Sequence, residues 1–166
     1  MPPAGMADWI QALTDSAGEI AAMSLGFEEC RVTGQACEDL LASPTDPAWV
    51  GAFISVQCRE DALHLGLVAD ASGCETLAKA LLGMAPSEIL PEEDVSDSLR
   101  ELVNILAGGV KRRLAAQENT LQLGLPQVVQ GPLEVADLTE AARIPMTLGP
   151  IPVQLQIIRS RALPRP

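Results

Sequence analysis

Tyrosine is absent from these 166 residues, and phenylalanine and tryptophan occur only twice each. Because 48% of the side chains are apolar all the same, the interior has to be built from Ala, Val, Leu and Ile, an aliphatic core. Basic residues are also scarce. Eleven Lys and Arg stand against 22 Asp and Glu, a formal charge of −11 with a pI of about 4.4. This excludes a nucleic-acid binder, since phosphate backbones require clustered Lys and Arg. The four cysteines, Cys30, Cys37, Cys58 and Cys74, form no CxxC pair, and no histidine lies near them. Neither a zinc site nor a thioredoxin-type redox site is expected, and the thiols are read as small hydrophobes kept reduced. No signal peptide is recognised, because Met1 to Met6 is Pro-rich and the next stretch is broken by Asp8, Asp15 and Glu19. No run approaches the roughly 18 apolar residues needed to cross a bilayer. The expectation is one cytoplasmic domain over residues 1–166, with 1–6 and 160–166 as flexible ends and no membrane contact.

Apolar spacing at Trp9, Leu13, Ile20 and Met23 predicts a first helix from Asp8 to about Leu25. Strand text is weak around Cys30 to Cys37. It is strong in Val50 to Cys58 and Ala62 to Val68, which flank the polar turn Arg59-Glu60-Asp61 and predict a hairpin. Ser72 with Glu75 has capping-box spacing for a second helix, whose face is Leu77, Ala78, Leu81 and Leu82 and whose stop is near Gly83. A longer helix is expected from about Glu92 to Gln117. Four short β-rich runs follow, Pro126 to Gln130, Leu133 to Ala136, Arg143 to Thr147 and Val153 to Ile158, and they suggest an antiparallel meander. The order implies an α+β fold, an antiparallel sheet with helices on one face. The helix–strand–strand theme recurs in both halves, hinting at internal duplication with little residue identity.

On a helical wheel, Val95, Leu102, Val103, Leu106, Val110 and Leu114 lie within roughly 60° of the direction of Leu99, which marks the core face. Asp97, Glu101, Asn104, Gly108 and Ala115 gather within about 40° of the opposite direction, so Glu101 and Asn104 point outward together. Spacing alone gives such a pair no meaning, for most exposed Glu and Asn side chains are merely solvated. Asn is nevertheless a poor mid-helix residue, and Gly108-Gly109 weakens the helix by about 1 kcal/mol per glycine relative to alanine. An outer face carrying Asn and two glycines suits close approach by a partner. The basic triplet Lys111-Arg112-Arg113 reads as a cluster complementing the helix dipole, the acidic run Glu88, Glu92, Glu93, Asp94, Asp97 as a solvated segment, with steering of a partner as the alternative, and His64 as a structural bystander.

The stretch Glu101-Leu-Val-Asn104-Ile-Leu-Ala-Gly108 resembles the ExxN signature helix of the CheX/CheC/FliY chemotaxis phosphatases. Leu77 to Gly83 (LAKALLG) and Leu125 to Gly131 (LPQVVQG) resemble the family's flanking segments, so the likeness covers about Ala71 to Gly131. It implies a CheC-like pseudo-duplicated fold, a homodimer through sheet edges, and hydrolysis of the aspartyl-phosphate of a CheY-like receiver domain. Asn104 would orient the attacking water. Glu101 would grip the receiver's active-site lysine, and the receiver would supply Mg²⁺, leaving this chain no cofactor of its own. Such a division suits phosphoryl transfer, where alignment matters more than covalent help, and an amide aligns water without adding negative charge beside a phosphate.

Two departures narrow this expectation. CheC-like members carry a second motif on the first helix, where this chain has Glu19-Ile-Ala-Ala22, with alanine in place of asparagine, so a single site of the CheX kind is expected. Many members continue with Gly-Asn, where this chain has Gly108-Gly109. The competing readings are a non-catalytic receiver-binding adaptor or flagellar-switch-type module, and a dimeric sensor or structural protein in which the motif is residual.

Overall fold

The computed structural model describes residues 2–36, 46–59 and 61–161. The elements in chain order are α1 (Met6–Met23), β1 (Cys30–Val32), β2 (Val50–Cys58), β3 (Asp61–Ala69), α2 (Ala71–Leu82), α3 (Glu92–Arg113), β4 (Gln122–Leu123), β5 (Gln127–Gln130), β6 (Leu138–Leu148) and β7 (Ile151–Arg161). Cys37, Glu60 of the predicted turn and the last five residues of the expected tail lie outside the described residues.

The seven strands form one antiparallel sheet in the order β1-β6-β7-β3-β2, with β4 and β5 following one another along the outer edge of β2. Strand alternation gives the sheet two unlike faces. Ala52, Ile54, Val56, Leu63, Leu65, Leu67, Val153, Leu155 and Ile157 turn inward to one aliphatic core shared with the helices. On the reverse face Phe53, Val68 and Ile158 make a small second cluster, roofed by Trp49, Val129, Leu133 and Val135.

This arrangement is a two-fold weave. The hairpin β2-β3 sits beside the hairpin β6-β7 through the antiparallel β3-β7 pair. The strand after α1 lies on the second hairpin, and the strands after α3 lie on the first. Two copies of helix–strand–hairpin therefore exchange their edge strands, and α2 is the added link. The duplication suggested by the sequence is real in three dimensions.

Several boundaries differ from the sequence reading. Helix α1 opens at Met6, two residues before the expected start, and Asp8 lies in its first turn, where its Oδ2 accepts the backbone N–H of Gly5 at 3.0 Å. Met23, expected on the apolar face, is 79% exposed, because the buried stripe of α1 ends at Ala21. Helix α2 is capped by Asp70, whose carboxylate accepts from the Gly73 N–H at 2.6 Å, in place of Ser72. Gly83 does end it, in the left-handed region at φ 67°. Helix α3 stops at Arg113, not Gln117, and the chain then turns so that Glu118 can enter the interior.

The expected four-strand meander is wrong in its membership. Only β6 and β7 pair as consecutive strands, while β5 crosses to β2. Leu133 to Ala136 is no strand; its alternating apolar residues are used to roof the reverse face of the sheet. Both ends are tied in within the described range: Ala4 is buried and donates its N–H to Glu118 at 2.9 Å, and Ser160 and Arg161 belong to β7.

Candidate functional site

Helix α3 packs by one face only. Leu99, Leu102, Val103, Leu106, Ala107 and Val110 are buried, as the wheel requires, and the burial of these side chains is worth roughly 1.5–3 kcal/mol for each larger one. Because that side is clamped against sheet and α1, the outer side of the helix is held rigidly. Glu101 and Asn104 are exposed there, one turn apart, where side chains at i and i+3 sit about 5–6 Å from each other. Neither makes a hydrogen bond or ion pair with any described residue. Arg100, the nearest cation in sequence, is occupied by Asp97 at 2.9 Å.

Gly108 and Gly109 divide between the two sides of the helix. A Cβ at Gly108 would meet nothing within 4 Å. A Cβ at Gly109 would lie 2.8 Å from Ser16 Oγ and 3.1 Å from Ser16 Cβ on α1. Only Gly108 is therefore outward; Gly109 is an internal requirement of the α1–α3 contact, a correction to the reading that placed both on the partner's side.

The equivalent place on α1 is chemically closed. Asp15-Ser16-Ala-Gly-Glu19 and Asp97-Ser98-Leu-Arg-Glu101 share Asp, Ser and Glu at one spacing, a signal that an offset comparison of the two helices exposes and the sequence analysis missed. Ser16 and Ser98 even make the same bond, each hydroxyl donating to the carbonyl four residues back, at 2.7 and 2.8 Å. Yet Glu19 receives Arg112 at 3.2 Å and Arg113 at 2.5 Å, where Glu101 receives nothing from the described residues. The hydrogen bond from Arg113, with the charges of both guanidiniums, holds the Glu19 carboxyl below its ordinary range against an opposing effect of burial. Ala22 ends the motif without an amide.

The remaining chemically active side chains lie elsewhere. His64 sits on the reverse face of the sheet, half-buried, and burial lowers its pKa. Cys58 and Cys74 are buried free thiols, their pKa values pushed up to about 11 chiefly by burial, and Cys30 is raised for the same reason. Such thiols are inert at neutral pH. Among the described residues no group of three or more His, Cys, Asp or Glu is placed to hold a metal, and no helix is long and apolar enough to cross a membrane.

Residues 51–147 match the family model described as chemotaxis phosphatase CheX. The chain belongs to the CheX family. That span runs from β2 through most of β6 and contains α3 entire. Solved structures carry the same fold. A CheC-like superfamily protein from Shewanella sp. PV-4 is 21% identical with a TM-score of 0.72, covering 92% of this chain and 97% of its own. CheX from Vibrio vulnificus is 18% identical with a TM-score of 0.71, covering 92% and 99%. CheX from Borrelia burgdorferi, crystallised with CheY, BeF₃ and Mg²⁺, is 18% identical with a TM-score of 0.71, covering 93% and 98%. No curated protein matches by sequence.

Proposed function

We propose that this CheX-family chain is a phosphatase that hydrolyses the aspartyl-phosphate of a CheY-like receiver domain, with Asn104 and Glu101 as its catalytic residues. The observation that carries the reading is the contrast in engagement. Glu101 and Asn104 stand exposed on a rigid helix with no side-chain partner among the described residues, while the matching Glu19 is bound by two arginines.

In this mechanism the Asn104 carboxamide accepts a hydrogen bond from water and orients it in line with the phosphorus–oxygen bond to be broken. Positioning of this kind is the main service a protein can render to a loose phosphoryl-transfer transition state. Glu101 meets a cation of the receiver and fixes the register of the two proteins, so that the amide arrives at the phosphoryl group. The receiver brings the phosphorylated Asp and the Mg²⁺ that neutralises developing charge, as the presence of CheY, BeF₃ and Mg²⁺ with the Borrelia relative supports. This chain's part is a water-positioning amide on a scaffold that needs no nucleophile or resident metal.

The test is the rate of phosphate loss from candidate receivers charged with a small phosphodonor. Acceleration by the wild-type chain that is lost with Asn104→Ala and kept in part with Asn104→Gln supports the assignment. Equal rates for wild type and Asn104→Ala would overturn it.

A further inference from the structure

Lys111 stands in the last turn of α3, where its charge suits the helix dipole, and makes no ion pair with any described residue. Between Arg31 and Arg159, each basic side chain other than Lys111 and Arg143 lies within 4.0 Å of a carboxylate, and Arg143 is buried and engaged. Lys111 is exposed and meets no carboxylate among the described residues, in a chain where acids outnumber bases two to one. Arg161, at the end of β7, is likewise exposed with no carboxylate partner among the described residues, but Lys111 is the one on α3.

Its place on α3 gives it a use. Lys111 follows Asn104 by seven residues, two turns of helix, so the two side chains leave the same outward face about 10 Å apart along the axis. Helical side chains lean toward the N-terminus, which carries the Lys111 ammonium back toward Asn104. Between them on that face is Gly108, where a Cβ would meet nothing of this chain within 4 Å. Nothing in the fold requires glycine there, since its backbone is ordinary helix, and yet glycine weakens the helix. The bare surface at Gly108 clears the path between the lysine and the amide.

We propose that Lys111 is a docking residue of the same site, its ammonium reaching over Gly108 to meet the anionic surface of the phosphorylated receiver beside the phosphoryl group at Asn104. The proposal rests on the receiver-directed reading above. Lys111 touches neither the water nor the breaking bond; it acts on encounter and hold, as interfacial charges outside the reacting centre generally do. The effect of an exposed pair is modest, about two- to fivefold in affinity, and fades at high salt as the Debye length shrinks to about 3 Å at 1 M.

The experiment compares wild type, Lys111→Met, Lys111→Glu, Gly108→Leu and Asn104→Ala. It measures affinity for a beryllofluoride-activated receiver at low and high salt, and turnover at saturating phosphorylated receiver. Lys111→Met keeps the aliphatic stem, and Arg161→Met removes an equal charge from β7 as a control. The expected result is affinity two- to fivefold weaker for Lys111→Met and weaker still for Lys111→Glu, a smaller difference at high salt, and unchanged kcat in both. Gly108→Leu also weakens binding with no loss of Tm, and Arg161→Met leaves binding unaltered. Equal affinity and equal salt dependence in wild type and both Lys111 variants would overturn the docking role, as would a fall in kcat at unchanged affinity. The two readings fail separately. Lys111-dependent binding by a chain that hydrolyses nothing sinks the phosphatase reading and leaves docking standing, whereas an inactive Asn104→Ala beside Lys111 variants of wild-type affinity does the reverse.

Discussion

Helices α1 and α3 are the same device used twice, and they differ where chemistry would occur. Both bury one aliphatic stripe, both carry Asp, Ser and Glu at matching positions, and both back-bond a buried serine. On α1 the glutamate is consumed by Arg112 and Arg113, and the next polar position is Ala22; on α3 the glutamate is unpaired, and that position is Asn104. The arginines that close the α1 place are supplied by the last turn of α3 itself. One copy of the repeat thus supports the fold with the residues that the other copy leaves available to a partner.

The sharpest way to break this comparison is Asn104→Ala. Phosphate loss from the receiver is expected to fall to its unassisted rate, while stability stays within about 0.5 kcal/mol, because an exposed, unbonded side chain is removed. A thermal melt beside the rate measurement separates the two effects. Placing the amide on the other helix should not repair the loss. Ala22→Asn in an Asn104→Ala background is expected to remain inactive in the same assay, since Glu19 stays bound to its arginines; recovered activity would show that the ion pairs do not close α1.

The two adjacent glycines offer a second contrast, of opposite sign. Gly109→Ala drives a methyl to 2.8 Å from Ser16 Oγ, and that hydroxyl is already fixed by its bond to the Ala12 carbonyl. Overpacking of about 1–3 kcal/mol, offset by about 1 kcal/mol of helix propensity, leaves a net loss of up to roughly 2 kcal/mol. Gly108→Ala meets nothing and should gain about 0.5–1 kcal/mol. Denaturant melts of the pair check both, and equal shifts in the same direction would show that the α1–α3 contact does not need Gly109.

The aliphatic stripe of α3 was legible, because a period of 3.6 in Leu and Val determines which face is buried whatever it packs against, but the burial of Gly109 against α1 was not. The β2-β3 hairpin was legible for a similar reason, two alternating runs joined by a short polar turn. The weave was not. Which strand pairs with β2 depends on long-range geometry that no local pattern encodes, so the β5 run and the Leu133 roof looked alike in sequence. At the site, Glu101 and Asn104 could be placed outward from spacing alone, but their meaning needed a second helix for comparison. The closure of α1 depends on Arg112 and Arg113, some ninety residues from Glu19, and was invisible locally. Glu118 was missed altogether: its carboxylate is buried where it accepts from Ala4 N–H at 2.9 Å and Arg59 Nε at 3.2 Å, and nothing in its neighbourhood marks an internal acid.

The smallest expected effect tests the closed glutamate directly. The Glu19 carboxyl is held below its ordinary value of 4.5 in the folded protein, first by the hydrogen bond from Arg113 and then by the charges of Arg113 and Arg112. A depressed carboxyl contributes stability that is fully present above the unfolded pKa and is lost as pH falls through the folded one. Wild type should therefore exceed Glu19→Gln in stability by a constant margin at neutral pH, and the margin should shrink as pH drops below 4.5. Denaturant midpoints of the two proteins across that window measure the difference. Partly exposed pairs are weak and screened, so the margin should also narrow with added salt. If the margin changes with neither pH nor salt, Arg112 and Arg113 do not engage Glu19 in solution, and α1 must be closed by Ala22 alone.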